Sequence, residues 1–243
     1  MKIKMIIPLM TDQYNDLIMQ DVMRYLAPDT QIVIECLENG SPFIESRYDE
    51  MCDAPEIVKK IIQAEMEGFD GVFISCFSDP AVRVARDCVS IPVVGGFEPA
   101  VYQAALVSKQ WGIVTVNEAS NNMIKDLSTI VKVEKFIACI RNIHMPMSDL
   151  RHSEQLIEDK LFNEIEKAVI EDKVTAIILG CTGLLGMSHR LRQRFKTKEQ
   201  PVIIDPTAAA LGCIQMMIRS GISHNKIEYP FPEQRARTIC NDV

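Results

Sequence analysis

The chain has 243 residues, 47% hydrophobic and 24% charged, with a formal net charge of -7 and a pI near 5.2. That is enough chain for one large domain or two small ones, with no composition of disorder. The absence of any long basic block excludes the electrostatic footprint of a nucleic-acid or anionic-membrane binder and leaves a small-molecule partner.

Taken in chain order, residues 2–8 read as a strand, and Ile18, Val22 and Leu26 follow at helical spacing. The opening MKIKMIIPLMTDQ is broken by Pro8 and Asp12, too early for a signal-peptide core. A second strand is expected over 31–37. Residues 38–53, ENGSPFIESRYDEMCD, form the longest expected loop, suited to a lid or pocket wall. Pro55 then opens a helix carrying Ile57, Ile61 and Ile62. Strands over 71–76 and 91–95 flank a helix opened by Pro80, and a crossover is expected near 97–110. Further strands are expected at 111–116, 134–140, 174–180 and 201–205. Ser153 caps a long helix with Leu161, Ile165, Ala168 and Val169 on one face, and a last helix over about 207–220 returns toward the first half. The tail YPFPEQRARTICNDV carries no strong signal.

This alternation predicts an α/β fold with parallel sheets covered by helices. Two stretches correspond. FISCFSDPAV leads to IPVVGGFEPAVYQAAL, and ILGCTGL leads to QPVIIDPTAAALGCIQ, with 23 residues from Cys76 to Pro99 and 25 from Cys181 to Pro206. Such a duplication predicts two similar Rossmann-like lobes related by a pseudo-twofold axis, with the active site between them. Lobe 1 is expected over residues 1–97, completed by 207–243, and lobe 2 over 98–206. Ligands of such sheets bind beyond the carboxyl ends of the strands, where both cysteines are expected.

Of the eight cysteines, none forms a CxxC or CxxH pair, so no metal site of adjacent ligands is expected. No run approaches the length of a membrane span, and a reducing, cytoplasmic setting is expected. Cys36, Cys88, Cys139 and Cys213 read as structural, and Cys52 and Cys240 receive no role. Cys76 and Cys181 are different: a thiolate can take a proton from a carbon beside a carbonyl while a thiol returns one to the opposite face. A helix N-terminus beside each sulfur would favour the thiolate. His144, His152, His189 and His224 read as solvated rather than as partners of a hydrolase cysteine; His189 lies two turns from Cys181. Asp79 and Asp205 read as helix caps as readily as ligand contacts. No glycine-rich phosphate loop appears, so no nucleotide is implied.

With GSPFIESRYDE, WGIVT and the two cysteine segments in this order, nearly the whole chain resembles the aspartate/glutamate racemase superfamily, closest to its hydantoin and allantoin racemase branch. The resemblance implies a cofactor-independent, homo-oligomeric racemase in which Cys76 and Cys181 are the acid/base pair. It further implies that Ser75, Phe77, Ser78, Thr115, Val116, Thr182, Gly183 and Pro8 flank the substrate. Leu9, Met10 and Val116 stand where the branch carries polar residues. The function expected is inversion of an acidic carbon in an amino acid, hydantoin or related ureide. The alternatives are a decarboxylase or cis-trans isomerase of the same superfamily, or a non-catalytic small-molecule binder.

Overall fold

The apolar runs resolve, in a computed structural model describing residues 1–151, 153–195 and 200–233, into two four-stranded sheets. His152 and Cys240, with most of the tail, lie outside the described residues. The first sheet holds β1 (Lys2–Ile7), β2 (Gln31–Cys36), β3 (Gly71–Ile74) and β4 (Val93–Val94) in the order β2-β1-β3-β4. The second holds β5 (Trp111–Thr115), β6 (Ile137–Asn142), β7 (Ala176–Leu179) and β8 (Val202–Ile204) in the order β6-β5-β7-β8. Every pairing is parallel, and the two orders are the same once each half is counted from its own first strand. Helices cover both faces of each sheet, so β3 and β7 are buried throughout and carry uninterrupted apolar sequence.

The helices are α1 (Asn15–Val22), α2 (Arg47–Met66), α3 (Val82–Cys88), α4 (Phe97–Val107), α5 (Glu118–Ile130), α6 (Glu154–Glu171), α7 (Met187–Arg194) and α8 (Pro206–Arg219). Two of them pack against the sheet of the other half. Phe97, Ala100, Val101 and Ala104 of α4 join Trp111, Ile113, Ala176 and Ile178 of the second sheet. Conversely, Ala210, Leu211 and Ile214 of α8 join Ile3, Met5 and Phe73 of the first. Each large side chain so buried stabilises by about 1.5–3 kcal/mol, and the exchange sets the two carboxyl-end edges toward each other.

Several boundaries differ from the sequence expectation. The helix assigned to begin at Pro55 begins instead after Ser46, whose side chain accepts from Asp49 N at 3.2 Å. Residues 47–53 are therefore helix, not loop. Pro55 is tolerated inside α2 because it sits on the exposed face, where the carbonyl it leaves unpaired meets water. Pro80 does not open α3: Asp79 and Ala81 take left-handed φ of 50° and 59° before the helix starts at Val82. The strand expected from residue 134 starts at Ile137, after a 3-10 turn over Glu134–Phe136. The first helix stops at Val22, short of Leu26.

Candidate active site

Cys76 and Cys181 occupy matching places, each two residues beyond the end of the third strand in its sheet's order. Both line one cavity of about 100 Å³. Its walls come from both halves: Pro8, Ser75, Phe77 and Ser78 from the first, Gly180, Thr182 and Gly183 from the second. The halves are joined there by Thr182 Oγ1, which donates to the Ser75 carbonyl at 3.0 Å.

Each turn is fastened by a different device. The Cys76 carbonyl accepts from Gly96 N at 3.1 Å. Asp79, three residues on, accepts from Phe97 N at 2.8 Å and Glu98 N at 3.2 Å, so it caps α4 rather than its own α3. A Cβ on Gly95 would lie 2.1 Å from Asp79 Oδ1, so only glycine fits there. Asp205 caps α8 in the same manner, accepting from Thr207 N and Ala208 N. In the second half, Gly180 passes so close to β5 that a Cβ would meet Thr115 Cβ at 2.8 Å.

Thr115 itself is fully buried and donates to the Gly180 carbonyl at 2.8 Å. Val116 is buried in the core of the second half. Neither lines the cavity, and Thr115 reaches it only through the backbone of the residue before Cys181. The remaining substrate-flanking positions taken from the resemblance do line it. Sequence reasoning missed Thr11, Tyr14, Ile44, Ser120, Met123 and Met147 on the walls. Thr11 and Tyr14 follow the carboxyl end of β1 and were within reach of the strand-end rule. Ile44 belongs to the 38–53 segment expected as a lid or pocket wall, whereas Ser120 and Met147 come from segments whose pattern gives no such clue.

The sulfurs are not placed at helix N-termini, because α3 and α7 begin six residues after their cysteines. Instead Gly183 N donates to Cys181 Sγ at 3.3 Å, and Cys76 Sγ stands 3.3 Å from Ser78 Oγ. The expectation of a depressed thiol is overturned for Cys76. Burial pushes it up to about 12, the Ser78 contacts pull it back in part, and the neighbouring Cys181 and Glu50 raise it again. No lysine, arginine, histidine, aspartate or glutamate is among the described residues lining the cavity. His189 is exposed and bonded to Gln193, away from Cys181. His224 hydrogen-bonds Val93 N at 2.9 Å and is partly buried, which corrects its reading as a solvated side chain. Among the described residues, no group of three His, Cys, Asp or Glu side chains is placed to hold a metal ion, and no helix is long and apolar enough to cross a membrane.

Residues 3–214 match the family model described as Asp/Glu/Hydantoin racemase. A hydantoin racemase from Pseudomonas sp. (strain NS671) is 30% identical, over 97% of this chain and 93% of its own length. Another from Rhizobium meliloti is 32% identical over 79% of each chain. Among solved structures, an allantoin racemase from Klebsiella pneumoniae superposes with a TM-score of 0.90 at 27% identity, covering 98% of this chain and 96% of that one.

Proposed function

The chain belongs to the Asp/Glu/hydantoin racemase family, and on that premise we propose that Cys76 and Cys181 invert a carbon held between them, one as base and the other as acid. The observation that carries this reading is the pair of thiols, equivalent by fold, on the wall of a single cavity. A thiolate on one face removes the proton beside a carbonyl, the negative charge moves onto the carbonyl oxygen, and the thiol on the other face delivers its proton to carbon. The roles exchange for the opposite enantiomer. The chemistry needs no cofactor, and thiols of this kind persist in a reducing compartment such as the cytoplasm.

The substrate class follows from charge. A free amino acid would bring an ammonium and a carboxylate into a wall without a countercharge, and desolvating either ion unpaired costs several kcal/mol. A hydantoin or related ureide presents neutral N–H and C=O groups that serine, threonine and backbone groups can satisfy. The charge-free lining therefore favours the neutral ring or ureide over the amino acid. Decarboxylation, cis-trans isomerisation and passive binding are not favoured by the family membership. A homo-oligomer belongs to the same reading, on the strength of the family resemblance.

The test is racemisation of enantiopure 5-substituted hydantoins in heavy water, read by polarimetry and mass. Loss of rotation with one deuterium gained at C5 is expected, and enantiopure amino acids should remain unchanged. Cys76→Ser and Cys181→Ser should each stop inversion without loss of folded protein. Inversion that persists in either variant would overturn the two-thiol mechanism.

A further inference from the structure

The amide of Asn117 is held in one orientation by groups that leave it no choice. Asn117 is the N-cap of α5, and its Oδ1 accepts from Ser120 N at 3.0 Å. Its Nδ2 donates to Glu45 Oε1 at 2.9 Å, an oxygen that also accepts from Met147 N at 3.2 Å. A backbone N–H can only donate and a carboxylate can only accept. Turning the amide over would therefore set donor against donor at Ser120 and acceptor against acceptor at Glu45. Glu45 reaches Asn117 from the first half of the fold, next to Ile44 of the cavity wall.

That orientation decides what the Ser120 side chain can offer. Ser120 Oγ lies 2.9 Å from Asn117 Oδ1, and between those two oxygens only the serine proton can form the bond. The proton is thus committed to the protein, and Ser120, which lines the cavity, presents lone pairs to whatever occupies it. Thr182, on the same cavity, has its proton committed in the same way, to the Ser75 carbonyl at 3.0 Å. An N–H is accepted at such a hydroxyl, whereas an oxygen carrying its own lone pairs is repelled.

We propose that Ser120 is a specificity-determining residue that accepts the N–H bonded to the carbon being inverted, the N1–H of a hydantoin ring, with Asn117 and Glu45 as the positioning residues that keep its proton turned away. This rests on the reading of the cavity as the site of a hydantoin or ureide racemase. Of the two N–H groups on the ring, N3–H lies between two carbonyl oxygens and N1–H beside only one. A hydroxyl that offers lone pairs meets less repulsion at N1.

The test exchanges that N–H for oxygen. A 5-substituted oxazolidine-2,4-dione is nearly the size of the corresponding hydantoin and keeps the acidic carbon, the C4 carbonyl and N3–H, but sets a ring oxygen against Ser120. The parent protein should prefer the hydantoin by about 10-fold or more in kcat/KM. In Ser120→Ala the hydantoin KM should rise about fivefold with kcat nearly unchanged, and the preference should shrink at least about fivefold. Each compound is compared with itself in two proteins, so the intrinsic acidity of its carbon cancels. Asn117→Ala leaves the serine in place but frees its proton to turn toward the ring oxygen, so the preference should shrink there as well. A purely structural role for Ser120 would lower activity on both compounds alike.

A preference that is the same in the parent and in Ser120→Ala overturns the proposal, as does one that survives whole in Asn117→Ala. A second readout needs no turnover: calorimetric titration of both compounds into Cys76→Ser/Cys181→Ser protein, with and without Ser120→Ala. Racemisation of the hydantoin with no Ser120-dependent preference refutes the assignment and leaves the two-thiol reading standing. Absence of racemisation with that preference intact in the titrations does the reverse, and failure of the hydantoin to bind overturns both.

Discussion

Replacing Gly95 with alanine would test how firmly the Cys76 turn is tied to α4. The added Cβ would fall 2.1 Å from Asp79 Oδ1 and 2.4 Å from its Cγ, so the carboxyl must retreat by about 1 Å or more to reach normal contact. That motion breaks the bonds from Phe97 N and Glu98 N. Burial pushes Asp79 up to about 7, so the group is only partly ionised at neutral pH. Each bond is then nearer the neutral value of about 1.5 kcal/mol, and losing two costs about 3 kcal/mol. For a chain of this length that is a fall in Tm of about 6–12 °C. Because Gly96 N and Asp79 N both reach the Cys76 carbonyl, kcat should fall about tenfold or more with the misplaced thiol. Calorimetry and racemisation kinetics on the same preparation check both effects. A Gly95→Ala protein melting within about 2 °C of the parent would refute the reasoning.

Thr115→Val should leave the Gly180 carbonyl unpaired and destabilise by about 1–3 kcal/mol; kcat should fall with KM nearly constant, whereas a rise in KM alone would mean that Thr115 touches substrate. His224 accepts from Val93 N at 2.9 Å and is lowered to about 4, chiefly by burial and then by Arg86. Its folded value lies below the unfolded one, so its contribution is whole above about pH 6.5 and is lost as pH falls toward about 4. Denaturant titrations across that window should show the decline, and His224→Asn should flatten it.

The strand-helix alternation, the paired cysteines and the duplicated order were legible because each is written in a local pattern of apolar runs and turn residues. Ser46 could also have been found: Ser46-Arg47-Tyr48-Asp49 has capping-box spacing, and Asp49 also accepts from Ser46 Oγ at 2.7 Å. Pro55 outweighed that signal, since a proline reads as a helix start whether or not its missing N–H happens to face water. The Cys76 environment was not legible. Its acidity depends on burial and on Glu50, 26 residues away in the chain, and charges brought together by the fold leave no trace in spacing. Thr115 illustrates the same limit, being at the expected strand end but turned to a backbone carbonyl.

The trade of α4 and α8 between the two sheets makes the width of the reaction chamber a property of the whole chain. Were the halves to rock apart, Phe97 would be dragged off one sheet and Leu211 off the other, stripping apolar surface on both sides at once. The gap between the sulfurs is thus braced in the manner of clasped hands, while Ile44 and Met147 complete its wall from segments outside the two traded helices.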